Sequence, residues 1–210
     1  MAIRAFLIGL LLLLFSCQKE PKERIIGIQP YNHFEREILD SLQSTLHKMY
    51  GFTVVVLEEK PLPKSAFVNI KSPRYRADSL IKILKNTKPD SLSYVLGLTE
   101  RDISTTKRDS KGKILLPEQK YRDWGVFGLG FCPGKSCVVS TFRLDKKSVD
   151  RARFFSRLSK ISTHEMGHNL GLAHCPNKEC VMQDAAETIV TIDNVELRLC
   201  GECSGKIGLD

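Results

Sequence analysis

Apolar positions change their period several times along this chain, and each change marks an element. Ile38, Leu39, Leu42, Leu46 and Met49 recur on one face of a 3.6-residue repeat, which predicts a helix that Gly51 ends. Phe52 to Leu57 is a β-branched run with the composition of a strand, and Pro61-Leu-Pro63 behind it must be loop. Ala77, Leu80, Ile81 and Leu84 repeat the helical spacing, and Leu92 to Leu98 reads as a strand. Thr99 to Lys113 is polar and reads as a loop, with a short strand expected at Ile114 to Leu116. Val126 to Phe131 and Val138 to Leu144 predict a hairpin around a turn containing Pro133-Gly134. Ser148 to Leu170 predicts one long helix, with Gly171 as its stop. Helical and strand patterns are mixed along the chain, so a single α/β (α+β) domain of two layers is expected, without internal repeats or low-complexity segments.

The start of the chain follows a different rule. Arg4 precedes an apolar run from Ala5 to Phe15, about eleven residues, whereas spanning a bilayer takes about twenty. Residues 1–16 therefore read as a signal peptide and are excluded from the fold. Leu14-Phe15-Ser16-Cys17 resembles a bacterial lipobox, in which Cys17 is lipidated and becomes the new N-terminus. An ordinary secretory signal with an incidental cysteine is the plainer alternative. Gln18 follows rather than Asp, which under the usual bacterial sorting rule directs a lipoprotein to the outer membrane. Residues 17–33 are then a lipidated tether, polar and charged from Gln18 to Arg24, and the folded domain is expected to span 34–210. No inhibitory pro-segment is expected between Cys17 and Phe34.

Charge excludes less than it first suggests. The formal net charge is +8, a balance that can favour anionic partners. The cations are interspersed with acids, as in Lys107-Arg108-Asp109 and Asp145-Lys-Lys147, and no basic stretch is interleaved with aromatics. A solvated surface is expected, with no nucleic-acid partner.

Candidate chemistry is concentrated near the C-terminus. His164 and His168 stand four apart and share a helix face, so two imidazoles can reach one ion. Glu165 is placed to bond a water beside that ion rather than the ion itself. Gly171 can turn the chain through positive φ, and His174 can return as the third ligand. Three neutral imidazoles leave a tetrahedral zinc one open position, the arrangement of a catalytic site. Of the five histidines, His33 and His47 have no such company and read as surface residues. Cys175, Cys180, Cys200 and Cys203 form two close pairs, which match a closed structural zinc site; two disulfides are the alternative. Of the remaining cysteines, Cys132 and Cys137 flank the Pro133-Gly134 turn and are expected to form a disulfide in an exported protein.

The string His164-Glu165-x-x-His168-x-x-Gly171-x-x-His174-Cys175, Cys180-x-Met182 and Cys200-x-x-Cys203 resembles the full signature of the archaemetzincins. Weaker similarity extends to Tyr75–Leu80, Val95–Asp102 and Val138–Leu144. The resemblance implies a metzincin-like domain with a twisted mixed sheet, a long active-site helix and a C-terminal four-cysteine zinc site. It implies two zinc ions, one catalytic and one structural, with Met182 as an apolar floor beneath the first. By analogy, Val138, Val139, Ser140 and Thr141 would be the strand to which a substrate adds. The expected activity is zinc-dependent hydrolysis of a peptide or protein substrate with Glu165 as general base, by a monomeric exported lipoprotein. A non-catalytic zinc-binding lipoprotein is the alternative, although metal binding alone does not require Glu165.

Overall fold

The computed structural model describes residues 23–144, 149–184 and 188–209. Strand β1 (Ile25–Tyr31) leads into helix α1 (Arg36–Tyr50) and strand β2 (Thr53–Val56), which lies parallel to β1. The helical face read from the sequence is the buried one, with Ile38, Leu42, Leu46 and Tyr50 in the core. Gly51 ends α1 at φ 68°, where a residue without a Cβ is favoured. A short 3-10 turn at Lys64–Ala66 precedes the pair β3 (Phe67–Asn69) and β4 (Pro73–Arg76), followed by α2 (Ala77–Thr87). Then come β5 (Tyr94–Thr99), β6 (Ile103–Thr105), the single turn α3 (Glu118–Tyr121), β7 (Trp124–Val126), β8 (Gly128–Gly130) and β9 (Ser136–Ser140). The long helix α4 (Arg151–Asn169) and two short helices, α5 (Ile189–Asn194) and α6 (Gly201–Lys206), complete the described elements.

Five strands form the main sheet in the order β2-β1-β5-β9-β8, parallel except for β8, which runs antiparallel to β9. A second sheet has the order β3-β4-β6-β7. Alternate side chains of the main sheet leave by opposite faces. Ile26, Ile28, Leu96, Leu98 and Val139 pack with α1 and α4, whereas Val95 and Val138 pack with Leu80, Ile81 and Leu84 of α2. The domain is thus a mixed α/β fold with helices on both faces of the sheet. Three layers replace the two expected, because strands buried on both faces read as continuous apolar runs and give no sign of a second helical layer.

That same effect hid β1. Ile25–Tyr31 lies between β2 and β5, so part of the tether expected over 17–33 belongs to the core of the domain. Its Ile-Ile-Gly-Ile stretch carries no polar alternation, since both faces are covered. Cys17 and the expected signal peptide lie outside the described residues. The polar loop expected from Thr99 contains β6, whose Ile103 is fully buried, and the strand expected at Ile114–Leu116 is reduced to a single bridge between Ile114 and Arg108. The hairpin around the cysteine turn forms, but its disulfide does not. Cys132 is an exposed free thiol, and strand alternation turns the Cys137 thiol into the core with Val139.

Candidate metal centre and substrate cleft

Asp150 caps α4, its carboxylate accepting the Arg153 N–H at 2.8 Å. Helical period then sets His164 and His168 one turn apart, with ring centroids separated by 4.6 Å. Gly171 takes φ 97°, and the Gly171 and Leu172 N–H groups donate back to His168 and Gly167, each at 2.9 Å. This reversal brings the His174 ring within 5.3 Å of His164 and 4.9 Å of His168. One ring nitrogen from each of the three histidines lies within 4.8 Å of the others.

Second contacts prepare these rings as ligands. His164 Nδ1 faces the Val181 carbonyl at 2.8 Å, and His168 Nδ1 faces the Leu172 carbonyl at 2.7 Å. A carbonyl only accepts, so Nδ1 carries the hydrogen and Nε2 keeps its lone pair for a metal. Burial pushes the His164 pKa down to about 3 and lowers that of His168, which keeps both rings neutral. His174 Nδ1 stands 3.5 Å from the Asp184 carboxylate. Three neutral imidazole donors beside an open cleft suit zinc. Glu165 is outside this donor set. Burial pushes its carboxyl up to about 8, and the backbone N–H of Gly130 pulls the other way by donating to it.

Gly130 belongs to β8, the outer strand of the main sheet on this side. A cleft of about 330 Å³ runs beside β8, floored by Ile161, Val181, Ile192 and Val195 and reaching the three histidines and Glu165. A Cβ on Gly128 would stand 2.6 Å from Glu165 Cγ, and one on Gly130 would stand 2.6 Å from the Glu165 backbone oxygen. Glycine at both positions lets the strand lie directly on α4. The assignment of Val138, Val139, Ser140 and Thr141 as the substrate strand is therefore corrected. Strand β9 is paired with β5 on one side and β8 on the other, and the Thr141 N–H is bonded to Thr99. Among the described residues, the edge strand on this side of the sheet is β8. Its sequence signal was Gly128-Leu-Gly130, since glycine inside a strand pattern marks a close backbone approach.

Cys175, Cys180, Cys200 and Cys203 are buried, and their sulfurs lie within 4.8 Å of one another. All are free thiols, with Cys175 and Cys200 Sγ 3.7 Å apart, far beyond a disulfide bond of about 2.05 Å. The backbone N–H of Cys203 holds the Cys200 thiol below its ordinary range, which favours a thiolate there. A tetrad of neighbouring sulfurs fits one tetrahedral ion better than two separate pairs. The two clusters share their chain. Cys175 follows His174, its N–H donates to the Met182 carbonyl at 2.8 Å, and Val181, which receives His164, lies between Cys180 and Met182. Met182 is fully buried against α4, where a Cβ on Gly167 would stand 2.4 Å from its sulfur.

Known proteins resemble this chain in sequence and in fold. The sequence model described as "Peptidase family M54" matches residues 21–208. An archaemetzincin from Halobacterium salinarum is 31% identical over 185 residues, covering 85% of this chain and 96% of that one. The crystal structure of an archaemetzincin from Methanopyrus kandleri superposes with a TM-score of 0.73 at 25% identity, over 90% of this chain and 96% of that one. One from Archaeoglobus fulgidus gives 0.68 at 26% identity, over 87% and 99%. Agreement over nearly the whole length, in sequence and in fold, places this chain in peptidase family M54, the archaemetzincins, as a zinc metallopeptidase.

Proposed function

We propose that this protein cleaves peptide bonds with Glu165 as general base, on a substrate laid along the free edge of β8. The observation that carries the reading is the position of Glu165: buried, beside the three histidines but outside their donor set, and bonded to the edge strand through Gly130. Zinc held by His164, His168 and His174 would acidify a water and polarise the scissile carbonyl. A cation nearby also favours the ionised form of Glu165, against the burial that raises its pKa. The carboxylate then takes the proton of the attacking water and delivers it to the leaving amine. An edge strand offers unpaired backbone groups to an extended peptide, and the apolar floor of Ile161, Val181, Ile192 and Val195 suits an apolar substrate side chain. A purely metal-binding scaffold would leave Glu165 without a task.

The same reading assigns a second, structural zinc to Cys175, Cys180, Cys200 and Cys203, supported by the buried tetrad of free thiols. It also places the protein on a membrane by a lipid at Cys17, supported by the Leu14-Phe15-Ser16-Cys17 sequence. Digestion of a mixed peptide library tests the activity. The expected result is zinc-dependent, chelator-sensitive cleavage enriched beside apolar residues. A fully metallated protein that cleaves nothing in the library would overturn it.

A further inference from the structure

Asn169 closes α4 immediately after the second histidine and is 2% exposed. Its Nδ2 donates to the Ser136 carbonyl at 3.0 Å and to the Phe131 carbonyl at 3.2 Å, while its own carbonyl accepts the Gly134 N–H at 3.1 Å. Phe131 follows the last residue of β8, and Ser136 is the first residue of β9. Three hydrogen bonds thus clasp the β8–β9 turn, at both ends and in its middle, to the last turn of the active-site helix.

The Asn169 Oδ1 atom is buried and has no hydrogen-bond partner among the described residues. Such an orphan is unfavourable in a folded protein. It becomes intelligible if the side chain is there for its two coplanar donors, because no neutral side chain of that length offers two donors without an acceptor. The two ends of the turn are not equally supported. Ser136 is also held by its hydroxyl, which donates to the Ile81 carbonyl at 2.8 Å, and by the pairing of β9 with β5. Phe131 is 42% exposed and continues directly from Gly130, the residue that donates to Glu165. Loss of the clasp would therefore loosen β8 before it loosened β9.

We propose that Asn169 is a positioning residue that sets the seat of β8 on α4, and with it the path of an extended peptide past Glu165. The proposal rests on the peptidase reading for its consequence, but the seating of β8 can be measured without it.

Asn169→Leu removes both donors, and Asn169→Asp points a carboxylate at the same two carbonyls. Gly134→Ala disturbs the clasp from the turn, since its Cβ would stand 2.6 Å from the Phe131 oxygen and 2.7 Å from Asn169 Nδ2. It serves if the helix variants fail to fold. Amide hydrogen exchange on the zinc-loaded protein should become faster over residues 127–131 and stay unchanged within α4. A small zinc-binding hydroxamate, acetohydroxamate, should bind each folded variant as it binds the wild type. A peptidyl hydroxamate that also lies along β8 should bind about tenfold more weakly, the loss expected for two net hydrogen bonds, and KM should rise more than kcat falls. Unchanged exchange over 127–131 in a folded variant overturns the proposal, as does parallel loss of both hydroxamates. If the wild type cleaves no peptide while the exchange difference appears, the peptidase reading fails and the seating of β8 by Asn169 stands.

Discussion

Glu165 and His168 lie on the same turn of α4, yet removing them should have separable consequences. Glu165 is outside the donor set, so Glu165→Ala should leave zinc content and melting temperature nearly unchanged while hydrolysis falls at least ~100-fold. His168→Ala removes one of three nitrogen donors. It should lose the catalytic metal, and activity with it, while the four-cysteine site stays filled. Metal analysis beside a peptidase assay on the two variants reads the difference. Full zinc-dependent activity in Glu165→Ala would give the proton transfer to another group.

Between elements, the floor of the cleft depends on how α5 is held against α4. Arg157 makes a two-pronged contact with Asp193, Nε to Oδ1 at 2.7 Å and a second nitrogen to Oδ2 at 2.6 Å. Lys160 adds bonds to the Ile192 and Asp193 carbonyls, each at 3.1 Å. The Arg157 hydrogen bond holds the Asp193 carboxyl below its ordinary range. A folded-state pKa below the unfolded value of about 3.9 gives stability that is present above that pH and lost as pH falls through the folded value. Asp193 is solvent-exposed, so screening discounts the pair, and Asp193→Asn should destabilise by at most about 1 kcal/mol at pH 7 and by less near pH 3, below the unfolded value, where that stabilisation is already being lost. Urea unfolding at the two pH values measures this, and an equal loss at both would remove the ion pair as the cause. Because Ile192 floors the cleft, substrate affinity should weaken in the same variant.

At the scale of the whole molecule, the four-cysteine cluster anchors the C-terminal segment. Its sulfurs sit among Leu172, Val181 and Met182, and Met182 in turn packs against Gly167 of α4. On the proposed two-zinc reading, Cys200→Ser should lower zinc content from two towards one and reduce thermal stability, since metal-binding free energy would then be folding free energy. Mass spectrometry finding all four cysteines in disulfides in fresh, active protein would reverse that assignment. Lipidation of Cys17 should carry the wild type into detergent and membrane fractions, and Cys17→Ser should remain unlipidated in a differently processed form. A mature wild type with no lipid would end the anchor proposal.

What was legible in the sequence is what local geometry alone can build. Four-residue spacing on a helix aligns His164 with His168, and a glycine that reaches φ 97° returns His174, so the donor set could be read from eleven consecutive residues. The helical faces of α1 and α2 were legible for the same reason, as single periodic segments with one buried side. The sheet was not. Strand β1 lost its alternation because both its faces are covered, and which strand keeps a free edge is a property of strand order rather than of any residue. Val138 and Val139 looked like the stronger strand and lie inside the sheet, while the weaker-looking Gly128-Leu-Gly130 forms the edge. The four cysteines announced their chemistry, but Cys175 and Cys200 meet across 25 positions, and only the fold decides that four thiols converge on one point. Asn169 shows the same division: its side chain is ordinary in the sequence, and its partners exist only once the β8–β9 turn has been laid on the end of α4.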